Sequence, residues 1–210
     1  MAERREELIA LMREMQQQHD CPLIATRTKL VFGAGNADAD LMFVGEAPGF
    51  YEDQQGLPFV GRAGKLLDQL LIEIGIERGD SFVTNVTKCR PPDNRDPLPD
   101  EIDACKPYLF RQIELIEPKV VCTLGNFSLK LLTRSNTGIT RVHGVPSEHE
   151  LGGRKVRLYP LFHPAAALRG TAVLEQLRED MGRLPALLAE PAPEQPEPPP
   201  DPASQLDLFG

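Results

Sequence analysis

The sequence predicts an α/β protein, a three-layer sandwich around a four-stranded parallel sheet. Two patterns point there. Short apolar runs ending in glycine or a polar residue recur along the chain, and segments with helical apolar spacing alternate with them. Such alternation closes as a parallel sheet with helices on both faces, because each crossover returns the next strand in the same direction. At 210 residues the chain suits one core and a tail.

Residues 3–17 carry Leu8, Met12 and Met15 on one face of an amphipathic helix. LMFVGE (41–46) reads as the first strand, and 47–62, rich in glycine, proline and acids, as a long loop of the kind that usually carries function. A helix follows with Leu66, Leu67, Leu70, Leu71 and Ile74 on one face, closed by Gly75. SFVTNV (81–86) is the second strand, and the proline-rich CRPPDNRDPLPD leads into a helix over 99–117, expected to kink at Pro107. KVVCTLG (119–125) is the third strand, with Cys122 as core, and a helix over 127–132 follows it. RKVRLYPLFHP (154–164) gives the fourth strand, and a last helix covers 173–189.

In sheets of this kind ligands sit beyond the carboxyl ends of the strands. Those ends read Gly45-Glu46-Ala47-Pro48-Gly49, Asn85 to Arg90, Gly125-Asn126 and His163-Pro164, so the polar interruptions of the apolar pattern fall on one rim.

Composition is ordinarily globular, 41% hydrophobic and 26% charged, with no tryptophan and no apolar run near ~18 residues that would span a membrane. MAERREELIALMREM lacks an apolar h-region, so a cytoplasmic protein is expected, a monomer by default, with the four cysteines as free thiols or metal ligands. The net charge of −8 argues less against nucleic acid than its size suggests. Glu190, Glu194, Glu197, Asp201 and Asp207 carry five of the acids in a tail without Lys or Arg, leaving 26 acidic against 23 basic residues elsewhere. A basic stripe on one face can still steer a phosphate backbone.

Two familiar patterns fail. GRAGKL (61–66) lacks the first glycine and the Ser/Thr of a phosphate loop, and GAGNAD (33–38) precedes a strand where a dinucleotide fingerprint follows one. Taken singly, Asn85, Phe59, Glu46 and His163 each have an ordinary structural reading, as strand end, core ring, loop acid and structural imidazole. Together, GEAPG with GLPFVGRAG, then TNVTKCRPPDNR, then LFHPAAALR, resemble the uracil-DNA glycosylase superfamily, most closely its iron–sulfur branch, family 4. The resemblance covers residues 21–185.

That resemblance implies a monofunctional glycosylase that starts base-excision repair by hydrolysing the bond between uracil and deoxyribose. It places Asn85 on the uracil edge, Phe59 as the stacking ring, His163 on uracil O2 and Glu46 as the acid that positions water, with the backbone of Gly45 to Ala47 lining the pocket. After His163-Pro164 related enzymes often carry leucine at the place of Ala167, so Leu168 is the expected wedge, with Arg169, Lys88, Arg90 and Arg95 toward DNA phosphates. Cys21, Cys89 and Cys105 match three of the family's four ligands to a 4Fe-4S cluster, while Gln18 stands where the fourth is expected; His19 or a water would complete the site, or the cluster is lost or labile. A uracil-DNA binder without turnover is a weaker alternative, because relatives of that kind carry Gln in place of Ala47 and an inserted basic loop absent here. A non-catalytic iron–sulfur scaffold is the other.

The domain is expected to end near residue 189. Residues 190–204 hold 7 prolines in 15 positions and read as an extended, disordered linker. The terminal Gln205-Leu206-Asp207-Leu208-Phe209 resembles the pentapeptide that docks bacterial repair proteins on the sliding clamp; Gln205, Leu206, Leu208 and Phe209 would enter the groove.

Overall fold

A computed structural model describes residues 2–18 and 20–195. Helix α1 (Ala2–Gln18) leads through a 3₁₀ turn, Pro22–Ala25, to a two-residue strand β1 (Ala34–Gly35) and then β2 (Leu41–Gly45). There follow α2 (Phe50–Gln55), α3 (Arg62–Glu73), β3 (Ser81–Asn85), α4 (Pro99–Ile116) and β4 (Val120–Leu124). The second half comprises α5 (Asn126–Thr133), α6 (Ile139–Val142), β5 (Ser147–Leu151), β6 (Arg154–Leu161), α7 (Pro164–Ala167), α8 (Thr171–Gly182) and α9 (Leu184–Ala189).

The sheet runs β1-β3-β2-β4-β6-β5. Its centre, β3-β2-β4-β6, is the expected parallel foursome, and β1 and β5 add an antiparallel strand at each edge. Parallel strands with both faces covered read as continuous apolar runs, and every residue of β2, β3 and β4 is buried. Helix α1 packs on α4, α3 packs against α7 and α8, and the expected stripe Leu66, Leu67, Leu70 and Leu71 is buried. Cys122 lies in the core as expected. From β2 the chain turns outward to β3 on one side and later enters β4 on the other, a switch point where neighbouring crossovers part and leave a crevice at the carboxyl rim.

Helix α4 runs on through Pro107, whose ring removes one backbone donor. Three local expectations need correction. The stretch 47–62 contains α2. The last helix divides at Arg183 into α8 and α9, where Pro185 cannot donate to the carbonyl one turn earlier. Finally, β5 pairs with β6 as a hairpin over Gly152 and Gly153, both with positive φ.

Residues 190–195, the described start of the proline-rich stretch, have no regular structure but lie against β6. The Gln195 amide donates to Lys155 O (2.9 Å) and accepts from Lys155 N (3.1 Å), while Arg157 donates to Pro191 O (3.2 Å) and pairs with Glu190. His19, the rest of the linker and Gln205, Leu206, Leu208 and Phe209 lie outside the described residues.

Candidate active site

A cavity of about 500 Å³ opens at the carboxyl rim. Its lining includes Glu46, Ala47, Phe59, Asn85, His163 and Arg169, so strand ends that are far apart in sequence meet here.

Gly45 and Asn85 are register partners at the ends of β2 and β3. A Cβ on Gly45 would fall 2.3 Å from Asn85 Oδ1 and 2.8 Å from the Phe59 ring, so only glycine lets these two side chains approach. Asn85 is 2% exposed, and its side-chain amide makes no hydrogen bond with the described residues. The residue lines the cavity, so its amide oxygen and nitrogen are open to a ligand there. Its backbone carbonyl accepts from Lys88 Nζ (2.7 Å), which fixes the strand end.

Phe59 is buried beside Asn85 with φ of 53°, a left-handed conformation that a bulky residue adopts only under constraint. The constraints are identifiable. Glu52 Oε1 accepts from Val60 N (3.0 Å) and Gly61 N (2.8 Å), Arg78 donates to Pro58 O (2.7 Å), and Gly64 on α3 sits so close that a Cβ there would be 1.7 Å from Phe59 O. The ring is held in place before any ligand arrives. Its centroid lies 5.7 Å from that of His163.

His163 follows β6 at the start of α7. Its Nδ1 accepts from Ala165 N (3.1 Å), which puts the proton of a neutral ring on Nε2. Burial lowers its pKa to about 4, so at neutral pH the ring is uncharged and a donor through Nε2. Gly125, at φ +89°, would place a Cβ 3.1 Å from His163 Cβ, so glycine gives the imidazole room. Glu46 lies between, half-buried at the start of the loop after β2. Burial first, then the facing Asp96 carboxylate, push its pKa above the usual carboxylate range.

The DNA-contact expectations separate. Leu168 is 41% exposed beside the mouth, and Arg169 lines it. Arg90 is half-exposed with Nε on Asn94 Oδ1 (2.8 Å). Arg95 lines the cavity, but its guanidinium is already met by Glu101 through two bonds (2.9 and 2.5 Å). Lys88 is corrected outright. It is fully buried, with Nζ on Thr84 Oγ1 (2.5 Å), Asn85 O and Gln112 Oε1 (both 2.7 Å), and no phosphate can reach it. Asp96 and Glu52 were missed, and no sequence motif marks either.

Cys21, Cys89 and Cys105 are buried together away from the cavity. The Cys21 thiol bonds with both others, which with burial pushes the Cys89 and Cys105 thiols up. Arg27 Nη1 donates to Cys89 Sγ (3.1 Å) and Lys88 N to Cys105 Sγ (3.4 Å). Among the described residues no group of His, Cys, Asp or Glu is set out around a metal ion. The donor chemistry nevertheless suits an iron–sulfur group: three buried sulfurs, two of them also bonded by N–H donors. Gln18 is exposed.

A fixed aromatic ring, a cavity-facing amide and a neutral imidazole donor stand around one cavity, the groups needed to stack a flat ring and bond its polar edge. Comparison with known proteins makes this specific. The family model described as Uracil DNA glycosylase superfamily matches residues 32–181. The type-4 uracil-DNA glycosylase of Archaeoglobus fulgidus is 43% identical over 192 residues, 90% of this chain and 96% of that protein. Its namesakes from Sulfurisphaera tokodaii and Thermotoga maritima are 47% and 48% identical, covering 81% and 79% of this chain and 80% and 85% of their own. The chain belongs to the uracil DNA glycosylase superfamily, in its type-4 branch.

Proposed function

We infer that this chain is a uracil-DNA glycosylase, hydrolysing the N-glycosidic bond of deoxyuridine in DNA and opening base-excision repair. The observation that carries the reading is the Asn85 amide, which faces the cavity and makes no hydrogen bond with the described residues. Its oxygen accepts from uracil N3–H and its nitrogen donates to O4. Cytosine offers an acceptor and a donor at those places, so both contacts turn repulsive; a good bidentate match discriminates by about 1–3 kcal/mol. The base reaches the cavity by leaving the stack, at about a few kcal/mol, and lies on Phe59.

When the bond breaks, its electron pair leaves with the base, and negative charge collects on O2. His163 Nε2–H meets it there. Glu46 orients the attacking water, accepts its proton and opposes the positive charge on the sugar; that proton passes to solvent and the uracil anion takes one up from it, giving free uracil and an abasic site. Leu168 fills the space the base vacates, while Arg169 and Arg90 take phosphates. The direct test is release of free uracil from a uracil-containing oligonucleotide by the full chain. Turnover supports the reading, and tight binding without release replaces it with the binder alternative.

Asp96 gives this site a measurable signature. Its charge helps keep the Glu46 pKa high, so Asp96→Asn lowers that pKa and extends activity to lower pH. The acid limb of the kcat/KM profile is expected to move down in pH; an unmoved limb removes Asp96 from the site.

Cys21, Cys89 and Cys105 would hold a 4Fe-4S cluster by three of its ligands, with Gln18 leaving the fourth to His19 or an exogenous donor. When bound, the cluster supplies a cross-link between the 3₁₀ turn at Pro22–Ala25 and the chain around Cys89 and Cys105. Protein purified without oxygen is expected to carry about four irons per chain, and Cys105→Ser to lose both the iron and several degrees of Tm. Iron-free wild-type protein with an unchanged Tm in Cys105→Ser would mean that the thiols are plain core. The terminal Gln205–Phe209 motif is a tether to the sliding clamp. The domain is a cytoplasmic monomer.

A further inference from the structure

Two large aromatics at the start of α2 have no part in the mechanism above. Phe50 is 51% exposed and Tyr51 60%. Their rings meet edge to face, centroids 5.5 Å apart at 82°, and the Arg90 guanidinium lies 5.2 Å over Phe50. The same segment lines the cavity through Gly49 and Glu52. Tyr51 also approaches Gly61, next to the Phe59 turn: a Cβ on Gly61 would stand 3.7 Å from its Cδ2. Arg90 is in turn tied to Asn94, another lining residue. Half-exposed rings beside a cation, at the edge of the cavity, are the components of a platform for unpaired nucleotides: an aromatic ring stacks any base, and the cation holds its phosphate.

We propose that Phe50 and Tyr51, with Arg90, form a stacking shelf for the base next to the flipped uracil on the same strand, suiting the enzyme to single-stranded uracil-DNA. The inference rests on the reading of the cavity as a uracil pocket. A neighbour still paired in a duplex keeps its faces covered by its own stack. Only an unpaired neighbour can turn onto these rings while its phosphate meets Arg90.

Because the chain has no tryptophan, Phe50→Trp introduces a single indole that keeps the stacking face. Titrating the full-length variant with single-stranded oligonucleotide is expected to quench its emission by about half or more, and blunt duplex to leave it nearly unchanged. In parallel, Phe50→Ala/Tyr51→Ala raises KM for a single-stranded uracil oligonucleotide at least about fivefold, the low end of what one stacked base contributes. KM for duplex U:G shifts less than twofold, and Phe50→Tyr restores the single-stranded value. Absence of quenching, or equal KM changes on both substrates, overturns the shelf. The quenching needs no turnover, so a chain that failed to release uracil would refute the proposed activity and still report on the shelf.

Discussion

His163→Ala is expected to lower kcat for uracil release by about 10²–10³-fold while leaving DNA affinity nearly intact, the size of effect seen when one preorganised donor to a developing anion is removed. The ring makes a bond that matters little to neutral uracil and much to the departing uracil anion, so its loss falls on the transition state. The protonation state is built in. Ala165 N–H occupies Nδ1, and burial holds the pKa near 4, so the ring remains neutral throughout the working range. The sign follows. Below about pH 4 the imidazole takes a second proton, the Ala165 bond opposes it, and above that pH nothing in this ring changes. NMR of the ring should therefore show no His163 titration between pH 5 and 8. A midpoint near 6.5 would contradict the neutral-donor role.

Glu46→Gln is expected to cost about 10²–10⁴ in kcat, the usual contribution of a positioned general base, and to abolish the acid limb of the pH profile. Glutamine keeps the shape and can still hold a water, but it neither accepts a proton nor opposes a cationic sugar. Desolvation and Asp96 both raise the Glu46 pKa, so wild-type activity falls as pH drops through a value above the ordinary carboxylate range. The two variants are distinguishable: His163→Ala keeps this limb, and Glu46→Gln removes it. A flat profile in wild type would mean that Glu46 acts only through its charge or position.

Much of this was legible in the primary structure, for physical reasons. Buried parallel strands must be apolar throughout, and a glycine or polar residue must interrupt them where the rim begins; hence Gly45, Asn85, Gly125 and His163 announced the cavity. Helix α2 stayed hidden because Phe50 and Tyr51 point outward and its anchor is polar, the buried Asp53 accepting from Thr28 N (2.9 Å). Strand β5 is mostly exposed and polar, so it carries no apolar alternation. Its one signal was Gly152-Gly153, a pair suited to a two-residue hairpin turn. Lys88 read as a surface cation because its acceptors, Thr84, Asn85 O and Gln112, converge only in the folded chain. Asp96 meets Glu46 across fifty residues of sequence, and Glu52 braces the Phe59 turn from a helix no motif marks.

The Gln195 clasp on Lys155 sets where a pull on the tail is felt. Lys155 stands near the start of β6 and His163 just beyond its end, so at about 3.3 Å per residue the two are roughly 25 Å apart along one strand. A tail held there leaves the domain at the end of β6 away from the cavity, with the length of that strand between its exit and the mouth. A carrier could tow this molecule by its tail while the mouth of the cavity stays free to travel over DNA.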